Sequence, residues 1–436
     1  MFSLLYNLIL FVLAILALPK LLWQWFVLGK YRESLSERLG ITLPSFVPKK
    51  EQKVIWIHAV SMGETRAVIP LFQMIRQSYP DAAIVLSTTT ETGNAEAKRS
   101  MPEADAHFFL PLDFSWIIKK LFNRIRPSTL ILCESDFWYH LLSIAKKRNV
   151  NVALVNGKVS ERSSNRFQKF PFFTRRIFSN FDTLCVQSDL YRSRFIAMGI
   201  PPEKLFVTGN LKFDAPVKKM DAAQLQTLRD ALRIPPADRV LVIGSTHAKE
   251  EDWLLSVIAL AWEKIPNLKV LLVPRHPERF NEVFQLIKER GFHCARFSDM
   301  NDEKLVLVDT MGLLNQCYQI ADVAIVAGSF VPHVGGHNIF EPVLLHIPVF
   351  FGPHMHSQPE LKELILNAHA GRQLEINELP GALIEILDNP EVHHSYVEAC
   401  QRLSQSVQGS SRRTFEHIFH RQNLNKSKVF EKAVEV

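Results

Sequence analysis

Acidic residues follow two apolar, strand-like segments in the first half of the chain. Glu64 ends the stretch "HAVSMGE" after "KVIWI", and Glu134 and Asp136 stand in "ESD" after "TLILC". A carboxylate at such a place could act as a general base, and an E-x-D pair could bind a metal ion. Acidic side chains also stabilise the first turn of a helix. The residues alone leave these alternatives open.

Residue types suited to phosphate follow the apolar segments of the second half. Ser245 and Thr246 come after "VLVIG", where their side chains could cap a helix and their backbone N–H groups could meet a phosphate. Pro274 and Arg275 follow "KVLLV". A guanidinium binds oxyanions with two hydrogen bonds, so Arg275 is a candidate phosphate ligand.

A glycine pair in the second half would let the backbone approach a charged ligand closely. Gly335 and Gly336 precede His337 and Asn338, in a pattern typical of a loop that opens onto a helix N-terminus. Glu341 comes three residues after Asn338. This spacing fits a variant of the capping box, and the carboxylate could instead hold a ribose diol.

Histidine spacing and absent motifs exclude several classes of site. His333 and His337 are four residues apart, but the glycine pair between them predicts a loop rather than the rigid element that a zinc site needs. No GxGxxG follows the first strand of either half, and GxxxxGK[ST] and GxSxG are absent. A nicotinamide dehydrogenase, a P-loop NTPase and an α/β-hydrolase are therefore disfavoured.

Short apolar strands alternate with helix-length segments in two consecutive series. The first series of strands is "KVIWIH", "AAIVLS", "TLILC", "NVALVN" and "DTLCV", and the second is "VLVIGS", "KVLLVP", "KLVLVD", "DVAIVAG" and "PVFFG". This alternation is typical of a parallel sheet wrapped by helices, so the sequence predicts the α/β class, with two Rossmann-like domains facing a cleft.

The predicted domain boundaries follow from these series and the segments between them. They are an anchor and linker over 1–45, a first Rossmann-like domain over 46–213, an interdomain linker over 214–236, a second Rossmann-like domain over 237–409, and a basic C-terminal helix over 410–436.

Net charge limits the kinds of partner that the protein could bind, and cysteine content indicates the redox state of its compartment. The formal net charge of +7 favours anionic partners such as nucleotides, phospholipid surfaces or nucleic acid. Nucleic acid is disfavoured because the basic residues do not cluster with aromatic residues in a recognisable module. The five cysteines are scattered and lack CxxC spacing, which indicates reduced thiols rather than disulfides or zinc ligands.

The N-terminus predicts a retained membrane anchor. "LILFVLAILAL" is unbroken apolar sequence, and Pro19 and Lys20 separate it from "LLWQWFVLG". Lys30, Arg32 and Arg38 follow the apolar stretch and no basic residue precedes it, which predicts a cytoplasmic body. Whether this single anchor spans the membrane or lies in one leaflet stays open, because Pro19 and Lys20 fall within the stretch.

Eight motifs in order resemble those of one enzyme family, the 3-deoxy-D-manno-octulosonic acid (Kdo) transferases. The motifs are "HAVSMGE", "STTTETG", "ESDFW", "NGKVSERS", "GNLKFD", "GSTHAKEE", "PRHPERF" and "GSFVPHVGGHNIFEP". The resemblance covers nearly the whole chain, from the anchor to about Pro353. Asp136, Gly157, Lys158 and Leu313 depart from the family's usual residues, and several departures are similar to chlamydia-like members.

The resemblance implies a glycosyltransferase of the GT-B fold, with an N-terminal anchor on the cytoplasmic side of the inner membrane. Such enzymes transfer Kdo from CMP-Kdo to a lipid A precursor, lipid IVA, in lipopolysaccharide core biosynthesis, with inversion and without a metal or other cofactor. An anionic glycolipid acceptor would also explain the positive charge. Two alternatives are a GT-B enzyme that uses a UDP-sugar, as a transferase or epimerase, and a membrane-anchored protein without catalytic activity.

The resemblance also implies roles for named residues. Glu64 matches the family's general base, and Glu134 and Lys212 match groups that support the transition state. The positions that match CMP-Kdo contacts are Pro274, Arg275, Met311, Gly312, Leu313, Asn338, Ile339, Phe340 and Glu341. Further candidate phosphate or sugar contacts are Ser245, Thr246, Gly335, Gly336 and His337.

Overall fold

A computed structural model describes residues 2–26, 34–214 and 219–419, except for the side chains of residues 21, 22 and 24. The chain divides into two compact units, one formed by Met1–Pro216 with Val407–Val436 and the other by Val217–Ser406. Each unit holds one seven-stranded parallel sheet. The predicted α/β class is confirmed.

The first unit is built on strands in the spatial order β3-β2-β1-β4-β5-β6-β7. The strands are β1 Val54–His58, β2 Ala83–Thr88, β3 Ala106–Phe109, β4 Thr129–Cys133, β5 Asn151–Gly157, β6 Thr183–Val186 and β7 Leu205–Val207. The helices are α1 Phe2–Phe26, α2 Leu35–Arg38, α3 Met62–Ser78, α4 Glu91–Ser100, α5 Ser115–Ile125, α6 Tyr139–Lys147, α7 Glu161–Lys169, α8 Pro171–Phe178 and α9 Asp189–Ala197, with short 3-10 turns at Pro202–Lys204 and Leu211–Asp214.

Apolar runs form these strands because both faces of the sheet are covered. In β1, Val54 and Trp56 pack into one core cluster, and Ile55 and Ile57 pack into another on the opposite face. All five residues of β1 are buried. The period of two in a strand therefore gives a continuous apolar segment rather than an alternating one.

The second unit repeats this plan in the order β10-β11-β9-β8-β12-β13-β14. The strands are β8 Arg239–Thr246, β9 Leu268–Pro274, β10 Cys294–Arg296, β11 Leu305–Leu307, β12 Val323–Val326, β13 Val349–Phe351 and β14 Gly371–Gln373. The helices are α10 Ala222–Ala231, α11 Glu250–Lys264, α12 Phe280–Glu289, α13 Leu314–Tyr318, α14 Phe340–Leu344, α15 Pro359–Asn367, α16 Leu379–Asp388 and α17 Pro390–Val407, with a 3-10 turn at Pro277–Arg279.

The strand order reverses near the middle of each sheet. In the first unit this place lies between β1 and β4, and in the second unit it lies between β8 and β12. In open α/β sheets, ligands bind beyond the carboxyl ends of the strands at such a reversal. The loops after β1, β4, β8 and β12 are therefore the positions where functional residues are expected.

Two predicted boundaries differ from the observed units. Residues 222–231, predicted as part of a linker, form α10 in the second unit. Of the helix predicted over 410–436, residues 410–419 form a helix, α18, that belongs to the first unit, and residues 420–436 lie outside the described residues. One face of α18 is an apolar stripe that packs in the core with residues of α3, and it is formed by Phe415, Ile418 and Phe419. Basic residues near these positions make the stripe hard to recognise in the sequence.

The N-terminal apolar stretch is helical. Among the described residues, Phe2–Lys20 within α1 is the one helical stretch long and apolar enough to cross a membrane, judged by length and composition. Helix α1 runs through Pro19 to Phe26. Its apolar side chains, for example Leu4 and Leu16, are largely exposed.

Candidate functional site

Glu64 lies in the first turn of α3, directly after the loop that follows β1. The Ser61 hydroxyl caps this helix by accepting a hydrogen bond from the Glu64 N–H. The Glu64 carboxylate in turn accepts hydrogen bonds from the Val60 N–H at 2.9 Å and from the Ser61 hydroxyl at 3.2 Å. This arrangement differs from a capping box, because the carboxylate binds the backbone N–H of Val60 rather than that of the cap residue Ser61, but it gives Glu64 a structural role in addition to any chemical one.

The surroundings of Glu64 favour the protonated carboxyl. Burial raises its pKa above the ordinary value, and the negative charge of Glu134 adds to the increase, although the hydrogen bonds from Val60 and Ser61 oppose it. A carboxylate with a raised pKa binds a proton more strongly than a solvated glutamate does. The arrangement therefore suits proton abstraction.

Glu134 lies at the end of β4 and carries two ion pairs. Its Oε2 lies 2.6 Å from the Lys158 Nζ and its Oε1 lies 2.8 Å from the Lys212 Nζ. The Asn156 side chain donates to Oε1 at 3.3 Å. The Glu134 side chain is 7% exposed, whereas those of Lys158 and Lys212 are 38% and 42% exposed. One buried carboxylate thus holds two ammonium groups that reach solvent.

The two lysines determine the protonation state of this cluster. Burial raises the pKa of Glu134, but Lys212 and Lys158 lower it by more, so the carboxyl stays below its ordinary pKa. Burial lowers the pKa of Lys212, but Glu134 raises it by more. Both shifts favour the charged forms of Glu134 and Lys212 near neutral pH.

Backbone strain marks the same cluster. Glu134 and Asn156 adopt left-handed conformations, with φ of 61° and 52°. Residues other than glycine rarely adopt these backbone angles, and such conformations persist only where surrounding contacts fix them. The Asn156 Oδ1 accepts the Leu211 N–H at 3.0 Å, so Asn156 joins Glu134 to the 3-10 turn that carries Lys212.

Asp136 does not pair with Glu134 as the E-x-D metal alternative requires. Its Oδ2 lies 2.9 Å from the His58 Nε2 and accepts the Trp138 indole N–H at 2.7 Å. The His58 Nδ1 lies 2.8 Å from the Ser87 Oγ, to which Trp56 also donates. Asp136 thus belongs to a network that ties the loop after β4 to β1 and β2. The described residues contain no group of three His, Cys, Asp or Glu side chains placed to hold a metal ion.

In the second unit, Ser245 and Thr246 end strand β8. Ser245 has a left-handed φ of 61°. Thr246 is fully buried, and its hydroxyl finds no hydrogen-bond partner among the described residues. The Thr246 carbonyl accepts the Arg275 N–H at 3.1 Å, which aligns the end of β9 beside the end of β8. A buried hydroxyl without a partner is unusual in a folded protein.

Histidines cluster beside these strand ends. The Nε2 atoms of His247 and His337 lie 2.7 Å apart, and their rings stack with centroids 5.0 Å apart. The His276 ring lies 5.2 Å from that of His247. Burial, followed by the positive charge of neighbouring groups, lowers the pKa values of His247 and His337 to about 4. Both rings are neutral near pH 7, so one donates the shared hydrogen bond and the other accepts it.

Glu250 fixes the loop after β12 against the loop after β8. Its carboxylate is fully buried and accepts the N–H groups of His247, Gly328 and Phe330 at 3.0, 2.7 and 2.9 Å. Strands β8 and β12 flank the reversal of strand order in this sheet. Glu250 therefore holds the two sides of the expected binding position together.

The glycine pair lies in a tight loop, as predicted. Gly335 and Gly336 have φ values of 82° and 86°. A Cβ at Gly335 would approach the His356 ring to 2.4 Å, and one at Gly336 would approach the Met355 sulfur to 2.3 Å. The chain comes this close to itself only because both residues lack side chains.

Asn338 and Glu341 are linked to each other. The Asn338 side chain accepts the Phe340 N–H at 3.1 Å and donates to the Glu341 carboxylate at 3.2 Å. Helix α14 begins at Phe340 and has five residues. Ile339 and Phe340 are buried, with 0% and 1% exposure.

The remaining predicted donor positions follow β9 and β11. Pro274 is buried at the end of β9, and Arg275 next to it is exposed. Met311 is 54% exposed, and Gly312 has a φ of 85°. Leu313 precedes α13 as its N-terminal cap residue.

Lys158, Asn156 and Glu250 take part in these arrangements, and the sequence did not single them out as site residues. Lys158 directly follows the end of β5, so the rule that ligands meet the carboxyl ends of strands could have identified it. Asn156 and Glu250 gave no such signal, because a buried polar side chain cannot be recognised before its partners are known.

Comparison with known proteins identifies the family. Residues 33–215 match the family described as 3-Deoxy-D-manno-octulosonic-acid transferase (kdotransferase). The chain is 34% identical over 403 residues to a 3-deoxy-D-manno-octulosonic acid transferase of Chlamydia pneumoniae, which covers 91% of each protein. It is 34% identical over 359 residues to the enzyme of the same name from Haemophilus influenzae, covering 81% of this chain and 82% of the relative.

A solved structure supports the fold. A glycosyltransferase from Rickettsia africae superimposes with a TM-score of 0.58 at 16% identity, covering 84% of this chain and 99% of that one. At this identity the likeness concerns the fold alone, and with the two parallel α/β units it confirms the predicted GT-B class. Because the sequence relatives are more than 30% identical over most of both chains, this protein belongs to the 3-deoxy-D-manno-octulosonic acid transferases, a family of glycosyltransferases.

Proposed function

We propose that this enzyme transfers Kdo from CMP-Kdo to a lipid A precursor, lipid IVA, in lipopolysaccharide core biosynthesis, with inversion and without a metal ion. The family supports the transferred sugar. The observation that supports an anionic donor is the cluster of Glu134, Lys158 and Lys212, in which one carboxylate holds two ammonium groups. Kdo is an acidic sugar and its donor carries a phosphate, so a site with excess positive charge suits both.

Glu64 acts as the general base in this proposal. A hydroxyl of the acceptor gives its proton to the Glu64 carboxylate as its oxygen attacks the anomeric carbon of Kdo. The bond between that carbon and the phosphate oxygen breaks, and CMP leaves with the electron pair. Attack from the side opposite to the phosphate inverts the configuration. The raised pKa of Glu64 supports this role, because it makes the carboxylate a stronger base.

Lys158 and Lys212 stabilise negative charge during the transfer. Glu134 fixes both ammonium groups before the substrate arrives, so little reorganisation is needed when charge develops on the leaving phosphate or remains on the Kdo carboxylate. Such preorganised charge is a large contribution in many enzymes, and removing one group slows turnover about 100- to 1,000-fold.

The second unit binds the CMP part of the donor. Arg275 and the backbone of the glycine loop supply positive charge and N–H groups to the phosphate. The buried Thr246 hydroxyl offers a further hydrogen bond where the described residues leave it without a partner. Glu341, oriented by Asn338, accepts hydrogen bonds from the ribose diol.

The enzyme works at the cytoplasmic face of the inner membrane. Support comes from the exposed apolar surface of α1 and from the positive net charge, which would attract the enzyme to anionic lipids.

The substitution Glu64→Gln tests the assignment of the base. Glutamine keeps the size of the side chain, and its carbonyl oxygen can still accept the Val60 N–H, so the fold should be preserved. Turnover should fall by about two to four orders of magnitude with little change in CMP affinity. Glu91→Gln is the matched control, since Glu91 is an exposed acid in the first turn of α4. Near-normal turnover of Glu64→Gln would refute the assignment.

A donor assay separates this proposal from the use of a UDP-sugar. The purified enzyme is incubated with lipid IVA and either CMP-Kdo or UDP-N-acetylglucosamine, and the lipid products are analysed by mass spectrometry. A mass increase of one or more Kdo units only with CMP-Kdo, unchanged by EDTA, supports the proposal. Activity lost with EDTA and restored by Mg²⁺ would contradict the metal-free mechanism.

A further inference from the structure

The first turns of α1 are docked on the first unit rather than free to enter a membrane. Two pairs of adjacent residues, separated by one helical turn, are half-buried on one face of α1. They are Phe2 with Ser3 and Tyr6 with Asn7. The Ser3 hydroxyl lies 2.9 Å from the Nε2 of His140, which is buried. The Tyr6 ring packs edge-on against the His140 ring at 4.9 Å.

Asn7 serves as a helix cap for a distant helix. Its Oδ1 accepts the Ser115 N–H at 3.1 Å, and its Nδ2 donates to the Ser115 hydroxyl at 2.9 Å. Ser115 is the first residue of α5, whose own cap residue, Phe114, provides no side-chain hydrogen bond. Asn7 thus satisfies a free backbone donor at the start of α5, which requires this end of α1 to stay with the folded unit.

The aromatic contacts at the N-terminus agree with this docking. The Phe2 ring lies 4.8 Å from Tyr139 and 5.9 Å from Phe172. The Arg176 guanidinium lies 4.7 Å from the Phe2 centroid and 4.4 Å from that of Phe172. Phe170 and Phe172 are 62% and 63% exposed beside this contact. They extend the apolar surface of α1 onto the folded unit.

The chain rejoins the same unit after α1. Ser34 is fully buried, and the Glu37 carboxylate accepts the Phe109 N–H at the end of β3 at 2.7 Å. Residues that precede and follow the apolar stretch therefore contact one folded unit. A helix that crosses a bilayer has its ends on opposite sides, so these contacts and a transmembrane position exclude each other.

The exposed apolar stretch is also too short to span. Phe2, Ser3, Tyr6 and Asn7 are held by the folded unit, and the unbroken apolar segment after them runs from Leu8 to Leu18, before Pro19 and Lys20. These 11 residues form about 16 Å of helix, against a hydrocarbon core of about 30 Å. An apolar stretch of this length is typical of a segment that enters one leaflet.

We infer that α1 is a monotopic membrane element: it enters the cytoplasmic leaflet, and its N-terminus stays on the cytoplasmic side, bound to the first unit. The partner is the lipid surface itself, which covers the exposed leucine, isoleucine and phenylalanine side chains of α1 together with Phe170 and Phe172. This inference rests on the proposed membrane location, and it gives α1 a further role. Because Asn7 and Ser3 join α1 to α5 and α6, the helix fixes how the first unit meets the membrane.

Protease access to tags on the full-length enzyme tests the topology. One version carries a cleavable epitope tag at the N-terminus and another carries it at the C-terminus. In inverted inner-membrane vesicles both tags should be cleaved at the same rate, and in spheroplasts both should be protected. An N-terminal tag that is protected in inverted vesicles and cleaved in spheroplasts would overturn the inference.

Crosslinking tests the docking directly. The pair Asn7→Cys and Ser115→Cys should be joined by a short bis-maleimide in native membranes, and the pair Leu16→Cys and Ser115→Cys should not. The parent enzyme is the background control, since four of its five cysteines are buried. Equal crosslinking of the two pairs would contradict the docked position. Flotation with phosphatidylethanolamine and phosphatidylglycerol vesicles tests the membrane location separately from the topology of α1. An enzyme that does not float with these vesicles would refute the membrane location itself.

Discussion

Lys158 offers a direct test of the charge cluster, because its loss leaves a buried carboxylate with one ammonium group. The substitution Lys158→Met keeps the length of the side chain and removes the charge 2.6 Å from the Glu134 Oε2. A hydrogen bond to a charged group contributes about 1.5–3 kcal/mol. Full loss of pairing for a buried charge costs about 3–5 kcal/mol, but Lys212 and Asn156 remain. We therefore expect the first unit to lose about 1.5–3 kcal/mol of stability.

Matched substitutions separate this effect from the loss of any lysine. Lys146 pairs with Asp182, and the two side chains are 44% and 32% exposed, so the carboxylate is far less buried than that of Glu134. Lys146→Met should cost about 0–1 kcal/mol, because exposed pairs contribute little. Lys158→Arg restores a cation and should recover most of the stability and turnover.

The assays are thermal unfolding, which reports about 2–4 °C per kcal/mol for a unit of this size, and Kdo transfer to lipid IVA. In Lys158→Met, kcat should fall by about 10- to 1,000-fold, since preorganised charge acts mainly on the transition state. Lys146→Met should keep its kcat. If the two methionine variants lose the same stability and the same turnover, the cluster has no special role and the reasoning fails.

Two further predictions concern single side chains. Thr246→Val removes a buried hydroxyl that has no partner among the described residues, so the stability of the fold should be unchanged or increased. The affinity for CMP, measured by calorimetry, should fall, and an unchanged affinity would exclude a ligand role for Thr246. The pKa of Glu134 lies below its ordinary value in the folded protein, so its ion pairs stabilise the fold above the unfolded pKa of about 4.3 and are lost as pH falls through the lower, folded value. Glu134→Gln should therefore flatten the loss of stability below about pH 4.3 in denaturant titrations, and an unchanged pH dependence would contradict the assigned shift.

The strands that the sequence predicts are those buried on both faces. Segments such as "VIWIH" and "TLILC" are continuous apolar runs because helices cover both sides of the sheet. The pattern misses β3, β7, β10 and β14, which are the two edge strands of each sheet. Each of these strands has at least one residue that is not fully buried, and three of the four strands are only three residues long. A short, partly exposed strand carries no apolar run and is recognised only through its neighbour.

The candidate site divides in the same way. Glu64, Glu134 and Arg275 were found because they stand at the carboxyl ends of strands that the sequence reveals. Lys212 was named as well, but its pairing with Glu134, and that of Lys158, was not predicted, because both lysines come from loops distant from Glu134 in the sequence. The sequence allowed Asp136 to be a metal ligand, whereas in the structure its carboxylate is hydrogen-bonded to His58 and Trp138. Strand ends can be read from one sequence, but the pairing of side chains between them cannot.

Glu64 shows why a local rule and a catalytic role need not compete. As the third residue of its helix it helps to cap the helix start, with the Val60 N–H bound to one oxygen and the Ser61 hydroxyl to the other. These bonds fix the orientation of the carboxylate, and burial raises its pKa at the same time. A base must be both positioned and protonatable, and the start of a helix after a buried strand provides both conditions. The cap is thus the device that holds the proposed base in place.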